Sequence, residues 1–114
     1  MTTEVEAQSF SNQIGYAAIS ATGSTDNTVV AAVTGKRIRV LAYSLVCSGA
    51  VTCRFESNAG GTALTGQMSF AANGGISAPP FTLGHFQTTA GQLLNLEISD
   101  TGVTVAGHLT YELV

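Results

Sequence analysis

The stretch that most constrains this chain is Lys36 to Ser57, KRIRVLAYSLVCSGAVTCRFES. It is the longest apolar region, charge falls only toward its ends, and Ser48-Gly49-Ala50 interrupts it. Ile38, Val40, Val46, Val51, Thr52 and Phe55 are β-branched or aromatic, stiff at χ1 and suited to a pleated surface. After the interruption Val51, Cys53 and Phe55 alternate with Thr52, Arg54 and Glu56, the period of a half-buried antiparallel strand. The expectation is two long strands joined by a tight turn at the centre of a sheet. From Leu41 to Val46 the alternation blurs. Both faces are expected to be covered there, one by a second sheet and the other by a neighbouring copy of the chain.

The rest of the chain reads as short strands between turn signals. Residues 1–12 are polar, acidic and aperiodic, and are expected to form an arm. Residues 13–114 are expected to form one domain. Strands are expected over Gln13 to Ala21, with Ile14, Tyr16 and Ala18 on one face, and over Thr28 to Thr34. Others are expected over Gln67 to Ala72, Phe81 to Thr89 (Phe81, Leu83 and His85 on one face), Gln92 to Ser99, and Val103 to Val114 with a bulge at Gly107. Turns are expected at residues 22–27, at Gly35-Lys36, at Asn73-Gly74-Gly75 and at Asp100-Thr101-Gly102, and a loop over residues 57–66. Ile76 to Pro80 contains Pro79 and Pro80, which donate no ladder bond, and so is no central strand. About eight evenly spaced strands with no helical stripe give an all-β fold, an antiparallel β-sandwich of jelly-roll type.

Charge narrows the function. Charged residues are only 10% of the chain, against about 25% in an average globular protein. A small domain has much surface, so a chain this poor in charge is expected to cover itself with other subunits. With four basic residues and a net charge of −3, no phosphate-tracking patch is available, and nucleic acid is not an expected partner. No apolar run reaches the roughly 18 residues of a transmembrane helix. The acidic N-terminus lacks the pattern of a secretory signal, so the chain is expected to begin near Met1 and fold in a cytoplasm. A three-residue loop would set Cys47 and Cys53 opposite each other, close enough for a disulfide. A reducing cytoplasm favours two small buried apolar side chains instead.

No enzyme, cofactor or metal is expected. There is no Gly-x-Ser-x-Gly elbow and no phosphate-binding glycine loop, and the cysteines and histidines lack zinc-ligand spacing. His85 and His108 each follow a glycine. They read as half-buried histidines satisfied by backbone, ahead of a ring of symmetry-related histidines on an oligomer axis. The expected oligomer interface is Leu41, Tyr43 and Leu45 on the blurred strand, with Phe81, His85 and Phe86 after the diproline. Phe81 and Phe86 read equally well as core.

Several phrases carry a resemblance: Gly35-Lys36-Arg37-Ile38-Arg39-Val40, Ser48-Gly49-Ala50-Val51-Thr52, Phe55-Glu56-Ser57, Leu64-Thr65-Gly66, Ala71-Ala72-Asn73-Gly74-Gly75 and Gly107-His108-Leu109-Thr110-Tyr111. Over roughly residues 30–114 the chain resembles small β-sandwich virion proteins of tailed bacteriophages, of the capsid decoration, head-spike or fibre-tip type. The resemblance implies a virion location and a homotrimer that binds the major capsid protein or another virion protein. It also implies that residues 1–12 dock onto the capsid. The alternative it carries is a tail-fibre or spike tip that binds glycans, which the absence of tryptophan disfavours.

Overall fold

The computed structural model describes residues 13–114. The expected arm over residues 1–12 lies outside the described residues. Ten strands follow one another with no helix between them: β1 (Gln13–Ala21), β2 (Asp26–Val30), β3 (Ile38–Cys47), β4 (Val51–Ser57), β5 (Thr62–Ala63), β6 (Met68–Phe70), β7 (Gly75–Ala78), β8 (Phe86–Gln87), β9 (Leu94–Ile98) and β10 (Val105–Leu113). They form two five-stranded antiparallel sheets. The first has the order β1-β10-β3-β7 with β8 also on β3, and the second has β2-β9-β4-β5 with β6 also on β4.

Early strands thus pair with late ones: β1 with β10, β2 with β9, β3 with β7 and β8, and β4 with β5 and β6. This is one long antiparallel ribbon, folded back near residues 58–67 within the second sheet, and rolled so that β1 to β4 alternate between the sheets and β7/β8, β9 and β10 alternate on the return, which is the jelly-roll arrangement. The count is ten and not eight because two strands are each split. The Leu64–Gln67 segment separates β5 from β6, and a longer loop carrying Pro79 and Pro80 separates β7 from β8. Proline has no N–H to give the ladder and interrupts the pairing to β3.

The expected central hairpin does not form. β3 and β4 lie in different sheets, and Ser48–Ala50 is a corner between them. Its bonds run sideways: Ser48 N donates to the Thr104 carbonyl at 2.9 Å, and Thr104 N donates to Ser48 Oγ at 2.9 Å. Alternation could not distinguish the two arrangements, because both point Cys47, Val51, Cys53 and Phe55 at one core. Cys47 and Cys53 are therefore not cross-strand neighbours, and both are free, buried thiols.

Other expectations are corrected locally. β2 ends at Val30, short of the expected Thr34, and the segment expected as a strand over Phe81 to Thr89 is a regular strand only at Phe86–Gln87. The bulge falls at Leu41, not Gly107: Thr110 pairs with Ala42 and Tyr111 with Val40, which leaves Leu41 as the extra residue. That extra residue reverses the inside–outside parity of β3. Val40 points in before it, and Tyr43 and Leu45 point in after it. The blurred pattern at Leu41 to Val46 is the trace of this bulge. Gly107 has a separate role, since a Cβ there would overlap the Ser44 carbonyl oxygen on β3.

The core between the sheets is apolar. Ile19, Ile38, Val40, Leu45, Val105 and Leu109 of the first sheet meet Cys53, Phe55, Leu94, Leu96 and Ile98 of the second. One end is aromatic, with ring centroids 5.2 Å apart for Tyr43–Phe55 and 5.1 Å for Phe55–Phe86. Buried Thr88 continues the β3 ladder beyond β8: its N–H donates to the Ile38 carbonyl at 3.0 Å, and its hydroxyl accepts from Ile38 N at 2.9 Å.

Candidate functional site

The two outer faces of the sandwich differ in chemistry. On the second sheet, Asp26, Asn95, Glu97, Arg54, Glu56, Thr52 and Ser99 point away from the core, a polar and ionic surface. On the first sheet the rows crossing β1, β10, β3 and β7 are Tyr16–Thr110–Ala42, Ala18–His108–Ser44–Ser77 and Ser20–Ala106–Val46–Gly75. None of these rows contains an acidic or strongly basic side chain. Charge enters only in the end row, where Arg39 pairs with Glu112 at 3.6 Å beside Ile14.

Small residues keep this face flat. Ala18, Ala42, Ala106, Ser20, Ser44 and Ser77 rise little above the backbone, and the Ser44 and Ser77 hydroxyls share a bond at 2.7 Å. The large side chains on it are wet: Tyr16 is 87% exposed, Ile14 62% and Val46 58%. Isolated exposed apolar residues are ordinary, whereas a contiguous apolar patch marks an interaction surface; here Ile14, Tyr16 and Val46 stand among small uncharged side chains.

The diproline loop walls the face on the β3 side. Phe81 N donates to the Leu41 carbonyl and His85 N to the Val40 carbonyl, at 2.9 and 2.8 Å, so the loop hangs from the bulge. His85 Nε2 donates to the Pro79 carbonyl at 2.7 Å and closes the loop on itself. The His85 ring lies 6.0 Å from Tyr43 and 5.9 Å from Phe81, linking the loop to the aromatic end of the core. Two open depressions result. One of about 280 Å³ is bounded by Ala42, Ser44, His108, Thr110, Pro79 and Pro80. The other, of about 270 Å³, is bounded by Ile14, Leu41, Pro80, Phe81 and Glu112.

The six residues expected at an interface divide. Leu41, Phe81 and His85 line or edge the uncharged face. Leu45 is 1% exposed and belongs to the core, while Tyr43 and Phe86 pack against it. Burial raises the Tyr43 phenol above its ordinary pKa, with the nearby Cys53 thiol adding to the effect. Ile14, Tyr16, Val46 and His108 belong to the face but were not among those six. For Ile14 and Tyr16 the signal was present in the sequence: Gln13 to Ala21 alternates with no charge on either side, an uncommon pattern for a strand at a sheet edge. His108 stands exposed at the centre of the face, and His85 is an exposed loop clamp, so neither is the half-buried strand histidine expected. No protein-family model and no curated protein matches the chain.

Proposed function

We propose that this protein is a structural assembly protein whose copies associate through the outer face of the β1-β10-β3-β7 sheet. The observation that carries the reading is the uncharged, flat and exposed character of that face beside a fully polar opposite face. β1 and β10 with nine residues each, β3 with ten and β7 with four, about 4.8 Å apart and rising about 3.4 Å per residue, give roughly 520 Å² per copy. Two such faces remove roughly 1,050 Å² from water, close to the roughly 1,000 Å² that a specific interface needs. The small side chains let another backbone approach closely, and Tyr16, Ile14 and Val46 provide the apolar anchors.

The resemblance extends this reading to a homotrimeric capsid decoration protein of a phage head, which would stabilise the shell by binding its assembled form. Light scattering on a size-exclusion column tests the first half. A mass of two or more chains of 11.6 kDa supports association, a mass of three chains supports the trimer that the resemblance implies, and a single-chain mass at tens of micromolar would sink both. Co-sedimentation with phage heads that lack their decoration protein tests the second half, and protein left wholly in the supernatant would count against the virion role.

A further inference from the structure

The middle row of the uncharged face is Ala18–His108–Ser44–Ser77, crossing β1, β10, β3 and β7. β10 has β1 on one side and β3 on the other, so His108 stands near the centre of the face. It is exposed. It rises from small neighbours, with Ala18 and Ser44 beside it and Ala106 and Thr110 two residues before and after it on β10. Any surface that lies flat against this face covers the imidazole.

Few titratable or charged groups surround it. β1 contributes Tyr16, β3 contributes Arg39, β10 itself contributes Glu112, the diproline loop contributes His85, and β7 contributes none. The carboxylate in this set, Glu112, lies four residues along β10, roughly 14 Å away by strand rise, and is paired with Arg39 at 3.6 Å. Among the described residues, neither ring nitrogen of His108 has a hydrogen-bond partner. His85 differs: its Nε2 donates to the Pro79 carbonyl at 2.7 Å within its own loop, and a protonated ring keeps that donor.

The two protonation states of His108 therefore meet a covering surface differently. A neutral imidazole needs one acceptor for its one N–H, and serine or threonine hydroxyls on an apposed copy of the same face provide it. An imidazolium loses its hydration and finds no carboxylate in the uncharged rows, and burying an unpaired charge costs far more than burying a neutral ring. An exposed imidazole ordinarily gains its second proton near pH 6.5, and covering it disfavours the charged form. The assembled state then binds fewer protons than the separate chains. By linkage, association strengthens as pH rises through about 6.5 and weakens as pH falls below it.

We infer that His108 makes the assembly of this chain pH-sensitive: copies join through the β1-β10-β3-β7 face while the imidazole is neutral and separate when it is protonated. The inference rests on the face-to-face association proposed above and adds its control. At pH 5 about one exposed imidazole in thirty is neutral, so each covered His108 weakens association by up to about thirty-fold relative to pH 8, and a pair of chains by up to about a thousand-fold.

Sedimentation velocity of the full chain at pH 8, 6.5 and 5, with far-ultraviolet circular dichroism at each pH, tests this. The wild type should be assembled at pH 8 and separate into folded single chains toward pH 5. His108→Gln, which carries no titrating group, should assemble at pH 8 and remain assembled at pH 5. His85→Gln should keep the wild-type response. A single-chain mass at pH 8 would overturn the association and this inference with it. Assembly at pH 8 that persists unweakened at pH 5 would overturn this inference alone. So would tighter association in acid, separation accompanied by unfolding, or a His108→Gln protein that separates in acid as the wild type does.

Discussion

Val46→Asp separates folding from association. Val46 sits on β3 in the row Ser20–Ala106–Val46–Gly75, with its side chain 58% exposed in the single chain. It makes little of the core, so the variant should unfold within about 1 kcal/mol of the wild type. In the proposed interface the same position is covered. Burying a whole valine is worth about 1.5–3 kcal/mol, so covering the exposed part of Val46 contributes roughly 1–2 kcal/mol per copy. Aspartate forfeits that and adds an unpaired carboxylate in a surface whose rows hold no cation to meet it, a further cost of a few kcal/mol. The sum is about 3 kcal/mol or more, at least a hundred-fold weaker association. Light scattering across a concentration series reads the mass, and urea unfolding reads the stability. An assembly that withstands Val46→Asp at the same concentration would refute the placement of the interface. A large loss of folding stability would refute the assignment of Val46 to the outside.

Three further outcomes follow from the packing. Burial first, and the nearby Cys47 second, lift the Cys53 thiol from 9.0 to about 11, so it should resist a thiol reagent at pH 8 until the protein is denatured. Because the folded state holds this proton more tightly, stability is complete below about pH 9 and falls as pH climbs toward about 11, which denaturant melts across that window would show. Phe55→Ala empties the centre of the ring cluster with Tyr43 and Phe86 and should cost about 3–5 kcal/mol in chemical unfolding; a loss under 1 kcal/mol would contradict the cluster. Gly107→Ala drives a methyl group into the Ser44 carbonyl, so it should break the β10–β3 ladder locally, lower the Tm by several degrees and speed amide exchange along β10; an unchanged melt would show that the strands are not that close.

The all-β class, the jelly roll and the ends of β1 were legible in the chain, as were breaks near residues 22–27, 48–50 and 73–75, although Asp26–Asn27 open β2, Gly75 opens β7 and the break at 48–50 crosses between sheets. Each rests on local chemistry: β-branched alternation sets a strand, and glycine or asparagine sets a corner. Asn73, at φ 65°, occupies the left-handed conformation that asparagine tolerates. The charge deficit was legible too, and it pointed to a covered surface without saying which one. Leu45 proved to be core and Tyr43 packs against it, because the Leu41 bulge that reverses β3's parity leaves only a blur in the sequence.

What the tertiary structure alone decided was partnership. Backbone ladders form between any two extended segments, so alternation cannot say which strands pair or whether a corner stays in one sheet or crosses between two. Only the rolled ribbon sends β3 and β4 to opposite sheets, collects the uncharged sides of β1, β10 and β3 into one face, and hangs the diproline loop at its edge. It also brings Asp26, Glu56, Asn95 and Glu97 together from three strands far apart in sequence. The amino acids fix which side chains share a face of each strand, and the packing of two sheets around one core fixes which of those faces stay in water.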